Sequence, residues 1–363
     1  MEDKYLLSFS ISPGVGPKGF QKLLKEFGLA EKAWDGNSSD FKKVGIGEVN
    51  FAKFDSFRKT FDTSEYILKL KKAKVEFIPF GDKLYPENLK KIDAPPIGLF
   101  IKGNKNLLSE SNLIGVVGAR KITSYGRDVT EKLVSELSSA GFVIVSGMAM
   151  GVDSIAHQIA IDAQGLTIAI LGCGVDCPYP RENEKLYEDI LDSHGLIVSE
   201  YPLGMPANQG TFPARNRIIA GLSFSVLITE AAEDSGSLIT AAHALEQNKK
   251  IFAVPGPITS QMSKGALKLL KQGAVLVTSA DDILGSLNVK TSHFAKASND
   301  KQNSKVSKLE QKILEALRIE ERTIDEICRL TAIPITKLST TLSEMELAGL
   351  VKNSGGKFAT KNI

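Results

Sequence analysis

The sequence predicts an α/β protein: a parallel sheet covered by helices on both faces, preceded by a helical module and followed by a small helical unit. Three observations carry this. From Leu113 onward, short and almost wholly apolar runs alternate with helical stretches, the pattern of parallel strands buried on both sides. Residues 1–75 read as short amphipathic helices separated by glycine pairs, and residues 307–363 as three helix-spaced segments with a hairpin at the end. At 363 residues and 42% apolar content, the chain can build two or three domains with ample core.

In chain order, the helical module spans 1–75, and its turns PGVGP and VGIG mark it as similar to sterile-alpha-motif or helix-hairpin-helix units. Such turns can offer backbone N–H groups to a nucleic-acid backbone, serve protein contacts, or simply permit tight helix packing. Residues 76–110 are Pro-rich and extended, a connecting segment with short strands. The sheet domain spans 111–290, with strands expected at Leu113–Val117, Phe142–Val145, Thr167–Leu171, Leu196–Val198, Val226–Thr229, Ile251–Val254 and Val275–Val277. Helices are expected to start near Tyr125, Asp153, Glu182, Pro213, Ser237 and Ser263. Residues 291–306 are polar and weakly patterned, a linker. In 307–363, Thr323 caps the second helix, Pro334 starts the third and Gly349 stops it before VKNSGGKFAT. Three helices and a hairpin make a winged helix, whose third helix carries Lys337 as its cation alongside Glu344 and Glu346. Duplex recognition and protein contact both remain open for it.

Ligands of such sheets sit beyond the carboxyl ends of the strands, and the distinctive residues fall there. Gly118 and Arg120 follow the first strand, with Arg127 close behind; Ser146 and Gly147 follow the second; Arg181 and Asn183 follow the third. The fourth strand leads through SEYPLG into TFPARNRIIAGLS, which places Arg215, Asn216 and Arg217 in the first turn of a helix with Thr211 or Phe212 as cap. The fifth ends in Ser235, Gly236 and Ser237 at another helix start. Helix N-termini and guanidinium forks both favour phosphate, so the rim reads as an anion-binding face. A structural helix whose arginines pair with acidic loops is the alternative for 211–223. Arg215, Ile219 and Leu222 share a helical face, so Arg215 is expected to point inward and Arg217, about 160° away, to meet phosphate more freely.

Charge supports a focused site. Residues 111–300 carry 15 Lys and Arg against 19 Asp and Glu, yet all five arginines of that stretch lie in or beside these loops. The net charge of the whole chain is +3. There is no GxxxxGK[ST] loop, and GARKITSYG departs from the dinucleotide fingerprint, so no nucleotide or dinucleotide cofactor is expected. His157, one turn after Asp153, could be written as a base with its orienting carboxylate, but a histidine packed under the loop is the expectation. Cys173, Cys177 and Cys328 form neither a disulfide framework nor a zinc set, and no membrane span or signal peptide is read, which points to the cytoplasm.

The motifs VGARKITSYGR, SGMAMGVDSIAH, AILGCGVDCPYPREN, SEYPLG, FPARNRIIAGLS, EAAEDSGSLITAAHALEQ and IFAVPG resemble the DNA-processing protein A (DprA, also Smf) family, densely from Leu113 to Leu284. The resemblance implies an extended Rossmann-like domain that binds single-stranded DNA, a homodimer, and loading of the RecA recombinase onto incoming strands during natural transformation, without enzymatic activity. It puts Arg120, Arg181, Arg215, Asn216 and Arg217 in the DNA-facing pocket, with Ser146, Gly147, Ser235, Gly236 and Ser237 beside them. Tyr125, Tyr179 and Phe212 are the rim aromatics for base stacking, with core packing expected of Phe212. The dimer edge is placed at Gly265–Val277. Two departures stand out: Gly265-Ala266-Leu267 replaces a polar Gly-Thr-Asn, and Asn208-Gln209 lacks a cation that some members carry. A rival function is a nucleoside-monophosphate-cleaving enzyme of a related Rossmann-like group, which needs an acid after the glycine of its loop; here Glu230 and Glu233 precede Gly236.

Overall fold

The computed structural model describes residues 2–287 and 308–360, apart from 318, 319, 332, 348, 349 and 355. They form two compact units that divide after Val289. The expected linker and Gly349 lie outside the described residues.

The first unit opens with α1 (Glu2–Ile11), α2 (Pro17–Phe27), α3 (Ala30–Trp34), α4 (Ser38–Lys43), α5 (Glu48–Thr60) and α6 (Thr63–Lys72). Local chemistry sets their ends: Asn37 closes a capping box on α4, the Asp62 carboxylate caps α6, and left-handed Gly28 stops α2. The helices converge on aromatic rings. Phe9 lies 4.9 Å from Phe20, 5.0 Å from Trp34 and 5.3 Å from Phe54 between centroids. The PGVGP turn brings Gly14, at φ 85°, so close to α5 that a Cβ there would lie 2.2 Å from the Asn50 carbonyl oxygen. Leu7, Tyr66 and Leu70 cluster with Phe100, Leu171 and Ile197 of the sheet, and the Tyr66 hydroxyl accepts from the Leu203 N–H at 2.8 Å.

Nine strands follow: β1 (Glu76–Pro79), β2 (Gly98–Gly103), β3 (Leu113–Val117), β4 (Val143–Ser146), β5 (Thr167–Leu171), β6 (Leu196–Ser199), β7 (Ser225–Ile228), β8 (Lys250–Ala253) and β9 (Val275–Leu276). They form one sheet in the order β1-β2-β6-β5-β4-β3-β7-β8-β9. From β6 to β9 all neighbours run parallel. The expected connecting segment adds β1 and β2 antiparallel at one edge, with Phe100 opposite Ser199. Helices α7 (Glu87–Lys90), α8 (Ser124–Ser139), α9 (Val152–Asp162), α10 (Glu184–Asp192), α11 (Thr211–Leu222), α12 (Ser237–Glu246), α13 (Lys264–Lys271) and α14 (Ala280–Ser286) complete the unit.

Alternation along the strands serves both faces. Val117, Val143, Val145, Ile168 and Ile170 pack with Ile218, Ile219 and Leu222 of α11 and with Ala241 and Ala244 of α12, whereas Ala169 and Leu171 pack with Leu186 and Ile190 of α10. The strand order reverses between β3 and β7, and a doubly wound sheet places its ligand crevice at that reversal.

The second unit contains α15 (Lys308–Ala316), α16 (Ile324–Thr331) and α17 (Ile335–Leu347), with β10 (Arg322–Thr323), β11 (Val351–Ser354) and β12 (Lys357–Thr360) in the order β10-β12-β11. This is a winged helix around Ile313, Ile327, Leu338, Leu342 and Val351. Thr323 and Glu326 open α16: the Glu326 carboxylate accepts from the Thr323 N–H at 2.7 Å and from its hydroxyl at 2.9 Å.

Candidate nucleic-acid interface

The loops at the carboxyl ends of β3 to β8 form a rim, and α11 is its central support. The helix begins at Thr211, but neither Thr211 nor Phe212 caps it. Asn208 does so from upstream: its side-chain oxygen accepts from the Gly210 N–H at 3.0 Å and the Thr211 N–H at 3.1 Å, while the Thr211 hydroxyl donates to the Asn208 carbonyl at 2.8 Å.

Arg215 points inward and is 4% exposed. Its guanidinium donates to the Gly147 carbonyl at 2.6 Å, to the Ile170 carbonyl, and from Nε to the Asn216 side chain at 3.1 Å. Beside it the buried Asp153 carboxylate accepts from the N–H groups of Gly147 at 3.1 Å and Ala149 at 3.4 Å. Burial pushes the Asp153 carboxyl above its ordinary range, with Arg215 opposing that shift. The strand-end loop after β4 is thus gripped by one buried acid and one buried base. Gly147 leaves room for this: a Cβ there would lie 2.2 Å from the Arg215 guanidinium.

The structure differs from the sequence expectation at three polar residues. Arg217 does not meet solvent freely. Its side chain is 12% exposed and forms a two-pronged ion pair with Glu200, 8% exposed, at 3.0 and 2.6 Å. Glu200 stands one residue beyond the end of β6. Ser146 ends β4 fully buried, and its hydroxyl donates to the Val116 carbonyl at 2.7 Å. Asn183 is buried too, its amide donating to the Met148 carbonyl at 2.8 Å. In each case a neighbouring strand end or loop offers a partner that spacing along the chain does not reveal.

What remains open to solvent is a smaller set. Arg120 is exposed, and its guanidinium lies 5.3 Å from the centroid of Phe212, whose ring is 5.4 Å from that of Tyr179. Two loops and the first turn of α11 therefore build one array of planar groups, the two rings tilted by 34°, with Tyr179 48% exposed. Phe212 is half-buried within the array, not a residue of the inner core. Arg181 is exposed at the start of the turn that precedes α10, with no ion pair among the described residues. Arg127 faces Glu131 at 3.6 Å. Asn216 reaches from α11 to the Gly236 carbonyl at 3.2 Å; at the start of α12 the half-buried Ser235 hydroxyl shares a 2.8 Å hydrogen bond with that of Ser237, which is buried, a fourth departure from the expectation. Gly236 is exposed, and a Cβ at its position would meet no atom within 4 Å. At Gly118 a Cβ would lie 2.5 Å from Val152 and 2.7 Å from the Glu230 carbonyl oxygen.

The crevice at the strand reversal is closed by the protein itself. Glu230, 3% exposed, accepts from the Thr123 N–H at 2.9 Å and its hydroxyl at 2.6 Å, and the Ala119 N–H donates to the Glu230 carbonyl at 2.7 Å. This acid holds the β3 and β7 loops together where a dinucleotide fold admits pyrophosphate. His157 is fully buried against Thr167, with Nδ1 and the hydroxyl 2.6 Å apart, and the hydroxyl donates onward to the Ile144 carbonyl. The histidine therefore donates from Nδ1. Burial, aided by Arg215, pulls its pKa down to about 3, so it stays neutral. Sequence reasoning missed Glu200, and considered Glu230 only for its place before Gly236, because a lone acid at a strand end carries no pattern of the partner it holds.

Similarity to known proteins follows this geometry. Residues 76–288 match the family described as DNA recombination-mediator protein A, and residues 297–357 match the DprA winged helix domain. The chain is 34% identical to Protein Smf of Synechocystis over 389 residues, covering 98% of each chain. It is 44% identical to DNA processing protein DprA of Bacillus subtilis over 213 residues, 59% of this chain and 71% of that one. The solved structure of DNA processing protein A from Streptococcus pneumoniae aligns at a TM-score of 0.68 and 34% identity, covering 78% of this chain and 97% of that chain. A structure of the Helicobacter pylori protein, which concerns its single-stranded DNA binding mode, aligns at 0.54 and 32%, covering 59% and 95%. The chain belongs to the DNA-processing protein A (DprA/Smf) family.

Proposed function

We propose that this protein binds single-stranded DNA across the rim without catalysing a reaction on it, and that it acts as a recombination mediator in the cytoplasm. In that role it protects incoming strands and loads RecA during natural transformation. The observation that carries the DNA reading is the exposed array of Arg120, Phe212 and Tyr179 beside Arg181. Guanidinium groups neutralise phosphates, and aromatic faces stack any base, a combination that suits single strands and is indifferent to sequence. Asn216, Ser235 and Gly236 extend the polar rim, with the buried Ser237 supporting Ser235. Arg215, Arg217, Ser146, Gly147, Asn183 and Gly118 act beneath it, holding the loops.

A homodimer fits the far edge of the sheet. There β9 is a two-residue edge strand, Leu276 is 52% and Leu245 67% exposed, and an apolar cleft of about 390 Å³ runs between α12 and α13. This lies in and beside Gly265–Val277. Two protomers sharing one strand would gain avidity from short individual footprints. The noncatalytic reading is supported by the neutral, buried His157 and by Glu230, whose carboxylate is occupied by Thr123. Release of free base from a nucleoside monophosphate would overturn it.

The experiment is anisotropy of labelled single- and double-stranded oligonucleotides over a salt series, with wild type and Arg120→Ala/Arg181→Ala. Losing two phosphate contacts should flatten the log–log salt slope by about 1.4, at ~0.7 per contact on single strands. Between 50 and 200 mM salt the affinity gap between the two proteins should therefore narrow about sevenfold. Parallel slopes, or duplex bound as tightly as single strand, would refute the rim assignment.

A further inference from the structure

A second concavity lies beside α11, with Arg217 of that helix in its wall. Two adjoining clefts of about 440 and 420 Å³ share Asn88, Gln247, Asn248 and Lys249 in their walls. Lys18 and Lys91 line the first, and Lys250 and Phe224 line the second. Phe224 is 52% exposed.

The charge balance of this trough is positive. Asp93 is paired with Lys18, and Glu246 lies 3.1 Å from the His243 imidazole; the two acids are outnumbered by Lys18, Lys91, Lys249 and Lys250. Lys91 is exposed and has no ion pair among the described residues. Lys249 and Lys250 are held in place by helix ends. The Lys249 ammonium donates to the carbonyls of Ala220, Gly221 and Ser223 at 2.5, 2.7 and 2.6 Å, and Lys250 donates to the Ser286 carbonyl. Burial pulls the Lys249 pKa down to about 8 and its three N–H groups are committed to carbonyls, so Lys91 and Lys250 are the cations that face a ligand.

The floor lacks a donor. The side-chain oxygen of Gln247 is buried with no hydrogen-bond partner, while its amide nitrogen makes a 3.4 Å contact with the Arg217 carbonyl. A buried acceptor in this state favours any ligand that brings it an N–H or O–H. The free amides of Asn88 and Asn248 border the same space.

We infer that this trough binds a nucleotide unit. The phosphate lies against Lys91 and Lys250, the base rests on the face of Phe224, and the half-buried Gln247 side chain turns its amide oxygen to a base N–H. An inorganic anion would leave the Gln247 acceptor and the aromatic face unused, and an apolar ligand would leave the lysines without counter-charge. A nucleotide satisfies all three. The unit can come from a free nucleotide or from a strand, and the site stands whether or not DNA occupies the rim.

Calorimetric titration of the full-length protein with 5′-dAMP and with the tetranucleotide p(dA)4 tests this in wild type, Arg120→Ala/Arg181→Ala, Lys91→Glu/Phe224→Ala, and the two pairs of changes combined. All four replaced side chains are exposed, and unchanged thermal midpoints verify the fold; should Phe224→Ala lower the midpoint, Lys91→Glu alone decides. The expected result is residual binding in the rim variant that falls at least tenfold when the trough changes are added. Equal affinity for the two probes identifies a free nucleotide, and tighter tetranucleotide binding identifies a strand. No residual binding in the rim variant, or residual binding that ignores the trough changes, overturns the proposal. If the trough changes alone abolish binding of wild type while the rim changes do nothing, the trough stands and the rim reading falls.

Discussion

Replacing Glu200 by Ala should cost more stability than replacing its partner Arg217 by Ala, and the gap should widen as pH falls. The two side chains are 8% and 12% exposed and joined by two hydrogen bonds, so removing either leaves a nearly buried charge alone. Breaking such a pair costs about 3–5 kcal/mol, roughly a 6–10 °C fall in Tm for a unit of this size. The two orphans have different escapes. Arg217 cannot lose its proton, so Glu200→Ala carries that cost at every pH. Glu200 can take one up, and burial already raises its carboxyl above the ordinary value of 4.5. In Arg217→Ala the folded state therefore holds a neutral acid that is ionised when unfolded. That limits the loss to about 3.4 kcal/mol at pH 7 and to about 0.7 kcal/mol at pH 5, at ~1.36 kcal/mol per pH unit. The sign follows: a carboxyl raised in the fold confers stability at low pH that disappears as pH rises. Thermal unfolding followed by far-UV circular dichroism at pH 5 and 7 supplies the measurement, with Glu200→Leu/Arg217→Met as the apolar replacement that should recover most of the loss. Equal losses for the two single variants at both pH values would refute this account of how α11 is held.

Arg215→Ala should weaken DNA binding without changing its salt slope. The substitution strands the Gly147 and Ile170 carbonyls and deprives Asp153 of its neighbouring charge, costing about 3–5 kcal/mol of stability, yet it removes no phosphate contact. A slope change as large as that of the rim variant would show that Arg215 reaches the strand. His157 should not titrate between pH 5 and 8, because burial holds it near 3. Its ring proton resonances in an NMR pH series should stay fixed, and a midpoint near 6.5 would mean that the loop after β4 opens to water.

The strands were legible because burial on both faces leaves little but Val, Ile and Leu. Leu113–Val117 and Thr167–Leu171 coincide with the observed β3 and β5. Helix starts were legible to within two residues for the same reason that caps have preferred chemistry. The antiparallel edge was harder: β2 lies in a Pro-rich stretch whose pairing with β6 joins residues almost a hundred positions apart. The rim was read as five loops with phosphate chemistry, and the structure does bring them together through Arg120 and Phe212, Arg215 and Gly147, and Asn216 and Gly236. Helical spacing placed Arg215 inside correctly but could not foresee that Glu200 waits on the opposite face for Arg217. Periodicity reports which way a side chain points from its own helix, and says nothing of what another strand end brings to meet it.

The arginines of α11 and the arginines of the loops therefore divide along a physical line. A guanidinium at a strand end surrounded by carbonyls and one buried acid is fixed in geometry, and its charge is largely committed to the protein. A guanidinium on a short loop with an aromatic face below it keeps its charge for a partner in solvent. Arg120 meets the second description, and Arg181 is exposed without an ion pair among the described residues; if these two carry the proposed phosphate contacts, one protomer gives a shallow salt slope, on the order of 1.4. Strong binding from so small a footprint requires either stacking on Phe212 and Tyr179 or a second protomer on the same strand. The two contributions separate experimentally: stacking persists at high salt and at limiting protein, whereas avidity disappears when the oligonucleotide is too short to span both rims.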